Sequence, residues 1–306
     1  DPEFFLANDG KKNPQAELLA TLESFYDPDA KASDGQPVLC RYQVRYQWLN
    51  EQLDLNLAFS PEEDCELFMK WFNAINPGQV RLIFPSSYMN SSSSMFGHTL
   101  LRIDPPPGKE RVDLISYAVN FGAILQVTKF DPFYAYRGLA GGYPGQFAVM
   151  PYHKKVKEYS KIENRDIWEY DLNLSKDEVN KMVLHLWEIG DSNFDYYFID
   201  ENCSFRLLSL LDVARPGLNS VQEFTVATIP IDTVRVLKDK GLIEGFKFRP
   251  SKATIMQSYI AALAKDEQNI VKDLVEQPEL LDGELFQSLP ENREPLMVNT
   301  AFQYLR

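Results

Sequence analysis

Asn202-Cys203-Ser204 opens a helical pattern in which Leu207, Leu210, Leu211 and Ala214 recur on one face with Cys203. A cysteine in the first turn of a helix meets unpaired backbone N–H groups and the positive end of the dipole, and both favour the thiolate. The same spacing also suits a small hydrophobe at the top of a buried stripe. Position alone therefore leaves nucleophile and core residue both open. A thiolate nucleophile needs a base, and histidine is the natural one near neutral pH. The chain has three: His98, His153 and His185. His153 sits in a basic surface stretch with Lys154 and Lys155, and His185 lies inside an amphipathic helix, so both read as ordinary side chains. His98 follows Gly97 in a strand pattern just after a Ser/Asn-rich loop. Alternation puts His98, Leu100 and Arg102 on one face and Thr99, Leu101 and Ile103 on the other. His98 is the base to expect for Cys203.

Competing chemistries lack their residues. There is no Gly-x-Ser-x-Gly elbow, no His-Glu-x-x-His and no Cys-x-x-Cys. A zinc site would have to recruit scattered carboxylates, so no metal and no cofactor is expected. The glycines from Gly138 to Gly145 do not have the strand-then-helix spacing of a nucleotide loop and read as tight turns. Lys and Arg number 31 against 44 Asp and Glu, a net charge of −13, which argues against nucleic acid as a partner. Hydrophobic residues at 44% and charged residues at 25% belong to a folded chain.

The chain around these residues falls into three stretches. Residues 1–77 read as a helical N-terminal subdomain. Asn13-Pro14 caps one helix, a second runs from Cys40 to Leu53, and Ser60-Pro61-Glu62-Glu63 reads as a capping box for a third. Residues 78–250 carry strand patterns at Val80–Phe84, Phe96–Asp104, Val112–Phe121, Asp166–Leu172 and Asp195–Phe198. A second capping box at Ser175–Glu178 starts a helix that ends at Gly190, and the Cys203 helix stops at Pro216-Gly217. Residues 251–306 read as a helical extension, Ile255–Val275, followed by an acidic tail. The class is α+β. Cys40 and Cys65 are 65 − 40 = 25 residues apart, each at the start of a helical pattern. In an exported protein they would pair, and a bridge closing such a loop contributes about 3 kcal/mol. Reduced, they would be two core cysteines, and Cys203 is left over either way. Asp1-Pro2-Glu3-Phe4 reads like a cloning scar and the chain stops abruptly at Arg306, so a longer natural protein with a leader is expected.

Ser86-Ser87-Tyr88-Met89-Asn90, Ser94-Met95-Phe96-Gly97-His98-Thr99-Leu100-Leu101-Arg102-Ile103-Asp104, Gly138–Tyr143, Trp168-Glu169-Tyr170 and Glu201-Asn202-Cys203-Ser204 together resemble the N-terminal periplasmic domain of the bacterial lipoprotein N-acyltransferase Lnb family. The resemblance spans roughly Val80 to Leu242. Its order of His first and Asn-Cys later is similar to permuted papain-like folds such as lecithin-retinol acyltransferase and the NlpC-type peptidases. That likeness implies a Cys-bearing helix against an antiparallel sheet, with a third polar group on the strand after the histidine. By position that group is Ser116 or Tyr117.

The family implies a periplasmic thiol acyltransferase that draws an acyl chain from a lipid or lipoprotein ester through an acyl-enzyme. Membrane proximity would come from portions outside this sequence. Asn202, Glu201 and the Asn90–Ser94 loop are expected to contact the oxyanion or substrate. Gly141 and Gly142, in the Gly- and aromatic-rich segment from Phe121 to Tyr143, are expected to wall an acyl groove beside Cys203, where bulky substitution would harm acyl transfer more than folding. The same segment could instead cap a sheet edge. A peptidoglycan amidase or endopeptidase using the same Cys-His pair, or a non-catalytic envelope module, are the alternative functions.

Overall fold

The computed structural model describes residues 1–86, 97–108, 112–124, 134–283, 286, 290 and 292–305. The chain divides into two compact units, Asp1–Lys155 with Trp168–Lys247, and Val156–Ile167 with Phe248–Arg306. The N-terminal helices belong to the same unit as the sheet.

Five helices open the first unit: α1 (Pro14–Tyr26), α2 (Val38–Arg41), α3 (Gln43–Leu53), α4 (Pro61–Asp64) and α5 (Glu66–Ile75). Asn13 caps α1 through a side-chain oxygen that accepts from the Ala16 N–H at 3.1 Å. The single helix expected over Cys40–Leu53 is two, broken at Tyr42, where ψ swings to 58°. Ser60 does not close a capping box: its hydroxyl donates to Glu62 and its N–H to Asp64, so α4 lasts one turn and α5 starts after Cys65. Cys40 and Cys65 are disulfide-bonded, their Cα atoms 5.4 Å apart.

Seven strands form one sheet: β1 (Gln79–Pro85), β2 (Leu100–Asp104), β3 (Tyr117–Ala123), β4 (Tyr143–Pro151), β5 (Ile167–Leu172), β6 (Phe194–Tyr196) and β7 (Ile243–Arg249). Their order is β6-β4-β3-β2-β1-β5-β7. The pairs β1–β2, β2–β3, β3–β4 and β4–β6 are antiparallel, with Leu101 opposite both Leu82 and Val119. The helices between strands are α6 (Val112–Ile115), α7 (Tyr134–Leu139), α8 (Tyr152–Val156), α9 (Lys176–Ile189), α10 (Cys203–Ala214) and α11 (Pro230–Asp239). The strand expected from Val112 is therefore a helical turn followed by β3. The aromatic strand begins at Phe194 and ends at Tyr196.

Period-2 alternation sorts β2 and β3. Leu101, Ile103, Val119 and Phe121 join Val179, Met182 and Leu186 of α9 and Leu207 and Leu211 of α10 in one core. Each such side chain, fully buried, contributes about 1.5–3 kcal/mol over its exposed state. On the alternate positions lies a buried ionic network. Arg102, 2% exposed, forks onto Asp104 at 2.7 and 2.9 Å and reaches Glu169 at 2.8 Å, while Tyr152 donates to Glu169 at 2.8 Å. Both carboxylates are thereby compensated.

The second unit holds α12 (Lys252–Ala261), α13 (Lys265–Glu276) and α14 (Glu294–Leu305) around Leu263, Val271, Leu274, Phe286 and Met297. The helix expected over Ile255–Val275 is split at Ala262–Ala264. The stretch expected to be an acidic tail instead packs, with Met297 fully buried and Arg293 paired to Glu267 at 2.5 Å.

Candidate active site

Two elements bring the chemistry together. The Asn202 side-chain oxygen accepts from the N–H of Ser204 at 2.9 Å and of Phe205 at 3.4 Å, which fixes the first turn of α10 with Cys203 at its first position. The Asn202 amide also donates to the Thr228 carbonyl at 2.7 Å. Both ends of the Asn202 side chain are thus committed to hydrogen bonds within the fold. No acceptor faces the Cys203 N–H among the described residues.

The second element is the entry to β2. Gly97 takes φ +98°, and a Cβ there would come within 3.1 Å of the Phe84 ring, so the position requires glycine. The turn leaves His98 two residues short of the strand, and its Nδ1 lies 3.1 Å from the Cys203 Sγ, although 105 residues separate them. Thr99, the next residue, binds the Ser204 hydroxyl at 2.8 Å and so ties the strand entry to α10. Cys203 is the free cysteine and is 3% exposed. Burial pushes its thiol up, but the charge and hydrogen bond of His98, the Thr99 N–H and the Ser204 hydroxyl outweigh that and bring it from 9.0 down to about 7.

The group on the far side of the ring is Asn120, whose Oδ1 lies 2.7 Å from His98 Nε2. With that oxygen accepting from Nε2–H, Nδ1 is the basic nitrogen facing sulfur. Neither Ser116 nor Tyr117 fills this place. In the register Ile103 faces Tyr117, so Ser116 falls at the far end of β2, where its hydroxyl donates to Asp104. Tyr117 packs against the helix-side core. Asn120 escapes a reading by position because β3 begins five residues later than its sequence pattern. The signal for it is an amide between Val119 and Phe121 in an otherwise apolar alternation.

Glu201 pairs with Arg206, one turn into α10. Asn90 and Ser94 lie outside the described residues. Gly141 and Gly142 do line a cavity, of about 870 Å³, together with Phe147, Phe194, Leu210 and Val213. Cys203 is not among its walls, which start at Arg206 and run along α10 through Ser209 to Val213. Gly141 adopts φ +73° and a Cβ on it would sit 2.4 Å from the Tyr197 ring, so bulky substitution there costs folding as well as space. His185 also borders this cavity, and its Nδ1 is 3.8 Å from Glu188.

The family model described as the Lnb N-terminal periplasmic domain matches residues 67–240, more than half of the chain. A second model, described only as a domain of unknown function, matches residues 1–52. No curated protein and no solved structure matches the chain.

Proposed function

The chain belongs to the Lnb N-terminal periplasmic domain family, and from that premise we propose that it is a cysteine-dependent acyltransferase of the cell envelope. Its substrates are lipid or lipoprotein esters. The observation that carries the reading is the line from Cys203 Sγ through His98 to Asn120, with contacts of 3.1 and 2.7 Å. The order histidine, asparagine on the next strand, then cysteine at a helix start supports a permuted papain-like core.

In the first half-reaction His98 Nδ1 takes the thiol proton and the Cys203 thiolate adds to the ester carbonyl. The oxyanion forms where the Cys203 N–H can donate to it. Collapse breaks the C–O bond, His98 gives its proton to the leaving alkoxide, and the acyl group remains as a thioester on Cys203. In the second half an amine adds to the thioester, His98 takes the amine proton, and collapse to the amide returns the thiolate to Cys203. Asn120, holding Nε2–H, keeps Nδ1 aimed at sulfur throughout. The net charge of −13 gives no general attraction to anionic lipid, so proximity to the membrane is left to a partner or to segments outside this sequence.

The test is to incubate the protein with a phospholipid donor and follow Cys203 by intact-mass spectrometry, with and without an acceptor peptide amine. A mass gain of one acyl chain, lost in Cys203→Ala and discharged by the amine, is the expected result. Cleavage of purified sacculi with no acyl adduct would instead select amide hydrolysis by the same pair.

A further inference from the structure

We propose that the cavity alongside α10 is the binding site for the acyl chain, of the long-chain fatty-acid class, and that the N-terminal stretch completes it. This rests on the acyl-transfer reading of Cys203. The volume of about 870 Å³ lies within the range of ligand pockets, and Phe147, Phe194, Leu210 and Val213 present aromatic and aliphatic walls. Lys11, His185, Asn193, Asp195 and Arg206 also border it, so the cavity offers polar partners to the head of a ligand and apolar walls to its chain. The cavity follows the same helix that carries the thiol. From Cys203 to Val213 the helix rises about 15 Å, a reach that suits an extended alkyl chain with its carboxyl end toward the thiol.

Arg206 marks the boundary between the two regions. It stands one turn after Cys203, pairs with Glu201, lies 4.8 Å over the Phe194 ring, and lines the cavity. The polar end of an ester would meet the Arg206–Glu201 pair at this wall, one turn along α10 from the thiol, and its chain would meet the rings beyond. The lining also includes Phe5 and Lys11, from the stretch matched by a model described as a domain of unknown function. That stretch is held in place by Glu17, which accepts from the N–H of Leu6 and Ala7 at 3.0 and 2.9 Å and from Arg45 at 2.5 Å. Its role in this assignment is to close the chain site.

Calorimetric titration of the whole chain with saturated fatty acids, palmitate and its shorter homologues, tests the assignment. One site is expected, with each two-carbon shortening weakening binding about tenfold. Ser209→Phe and Val213→Phe, which project rings into the cavity from half-buried positions, should each weaken it more than tenfold at unchanged melting temperature. Affinity that does not depend on chain length overturns the proposal, whatever the variants do. So does parent-like binding by both ring variants. Chain-length-dependent binding without any acylation of Cys203 would leave the cavity assignment standing and remove the acyl-transfer reading. Acylation of Cys203 that is indifferent to chain length and to Ser209→Phe would do the reverse.

Discussion

At the residue scale the site is an imidazole set between a sulfur and an amide oxygen, and each contact has its own signature. The thiol sits at about 7, so its alkylation by iodoacetamide should rise about tenfold per pH unit below that value and level off above it. His98→Ala removes the main groups that lower the thiol and leaves the burial that raises it, so the midpoint should move to near 9 or higher, while acyl transfer at pH 7 falls about 10²–10⁴-fold. A midpoint that stays at 7 would show that His98 does not set the thiol. Asn120→Ala frees the ring to turn, and a misplacement on the ångström scale costs about a hundredfold in rate. Asn120→Asp keeps an acceptor for Nε2–H and should recover most of that loss, whereas a merely structural asparagine would show no such rescue. Cys203 and His98 were legible in the sequence because few thiols and imidazoles compete and because Asn202 announces the helix start. Asn120 was not, because the partner of a strand residue depends on where β3 starts. The helical turn at Val112–Ile115 hides that start inside a continuous apolar pattern.

At the element scale, local chemistry fixes the ends of α9 and α10 relative to each other. Ser175 and Glu178 form the capping box that the sequence shows, with the Glu178 carboxylate accepting from the Ser175 N–H at 2.7 Å. Arg215, just past the end of α10, reaches the same carboxylate at 2.6 and 2.9 Å. The Arg215 hydrogen bonds, with help from the Ser175 N–H, hold Glu178 well below the usual carboxylate range, at about 2. A carboxyl depressed in the folded state stabilises fully above its unfolded value of 4.5 and loses that contribution as pH falls toward 2. Glu178→Gln should therefore cost about 1 kcal/mol at pH 7, and its deficit against the parent should shrink between pH 4.5 and 2 in urea unfolding. A deficit independent of pH would assign the loss to packing. The Ser175 cap was readable because it is a contact between residues three apart, whereas the same pattern at Ser60 closes no box, its hydroxyl and N–H going to Glu62 and Asp64. The edge strand β7 and the packed helix α14 were not, since Phe246 and Phe248 are exposed while Met297 and Ala301 are buried against partners distant in sequence.

At the scale of the whole molecule, the N-terminal helices and the sheet form one compact unit, through contacts that no local pattern announces. The Trp187 indole of α9 donates to the Cys40 carbonyl at 2.9 Å, and its ring meets those of Phe68 and Trp71 at 5.5 and 5.2 Å. The Arg45 N–H donates to Glu188 at 2.9 Å. Cys40, Cys65 and Phe68 thus pack directly beneath the helix that lies next to α10 in the core. The disulfide closes a loop of 25 residues, and its loss should remove about 3 kcal/mol from whatever body unfolds together with it. If that body includes the site, Cys40→Ser with Cys65→Ser should lower the urea midpoint of Trp fluorescence. The midpoint for reaction of buried Cys203 with a thiol reagent should fall by the same amount, the two curves remaining superimposed. A fluorescence transition that moves while the Cys203 transition stays in place would mean that the N-terminal helices unfold as a body of their own. The sheet that carries His98 and Asn120 would then draw its stability from the packing of α9 and α10 alone.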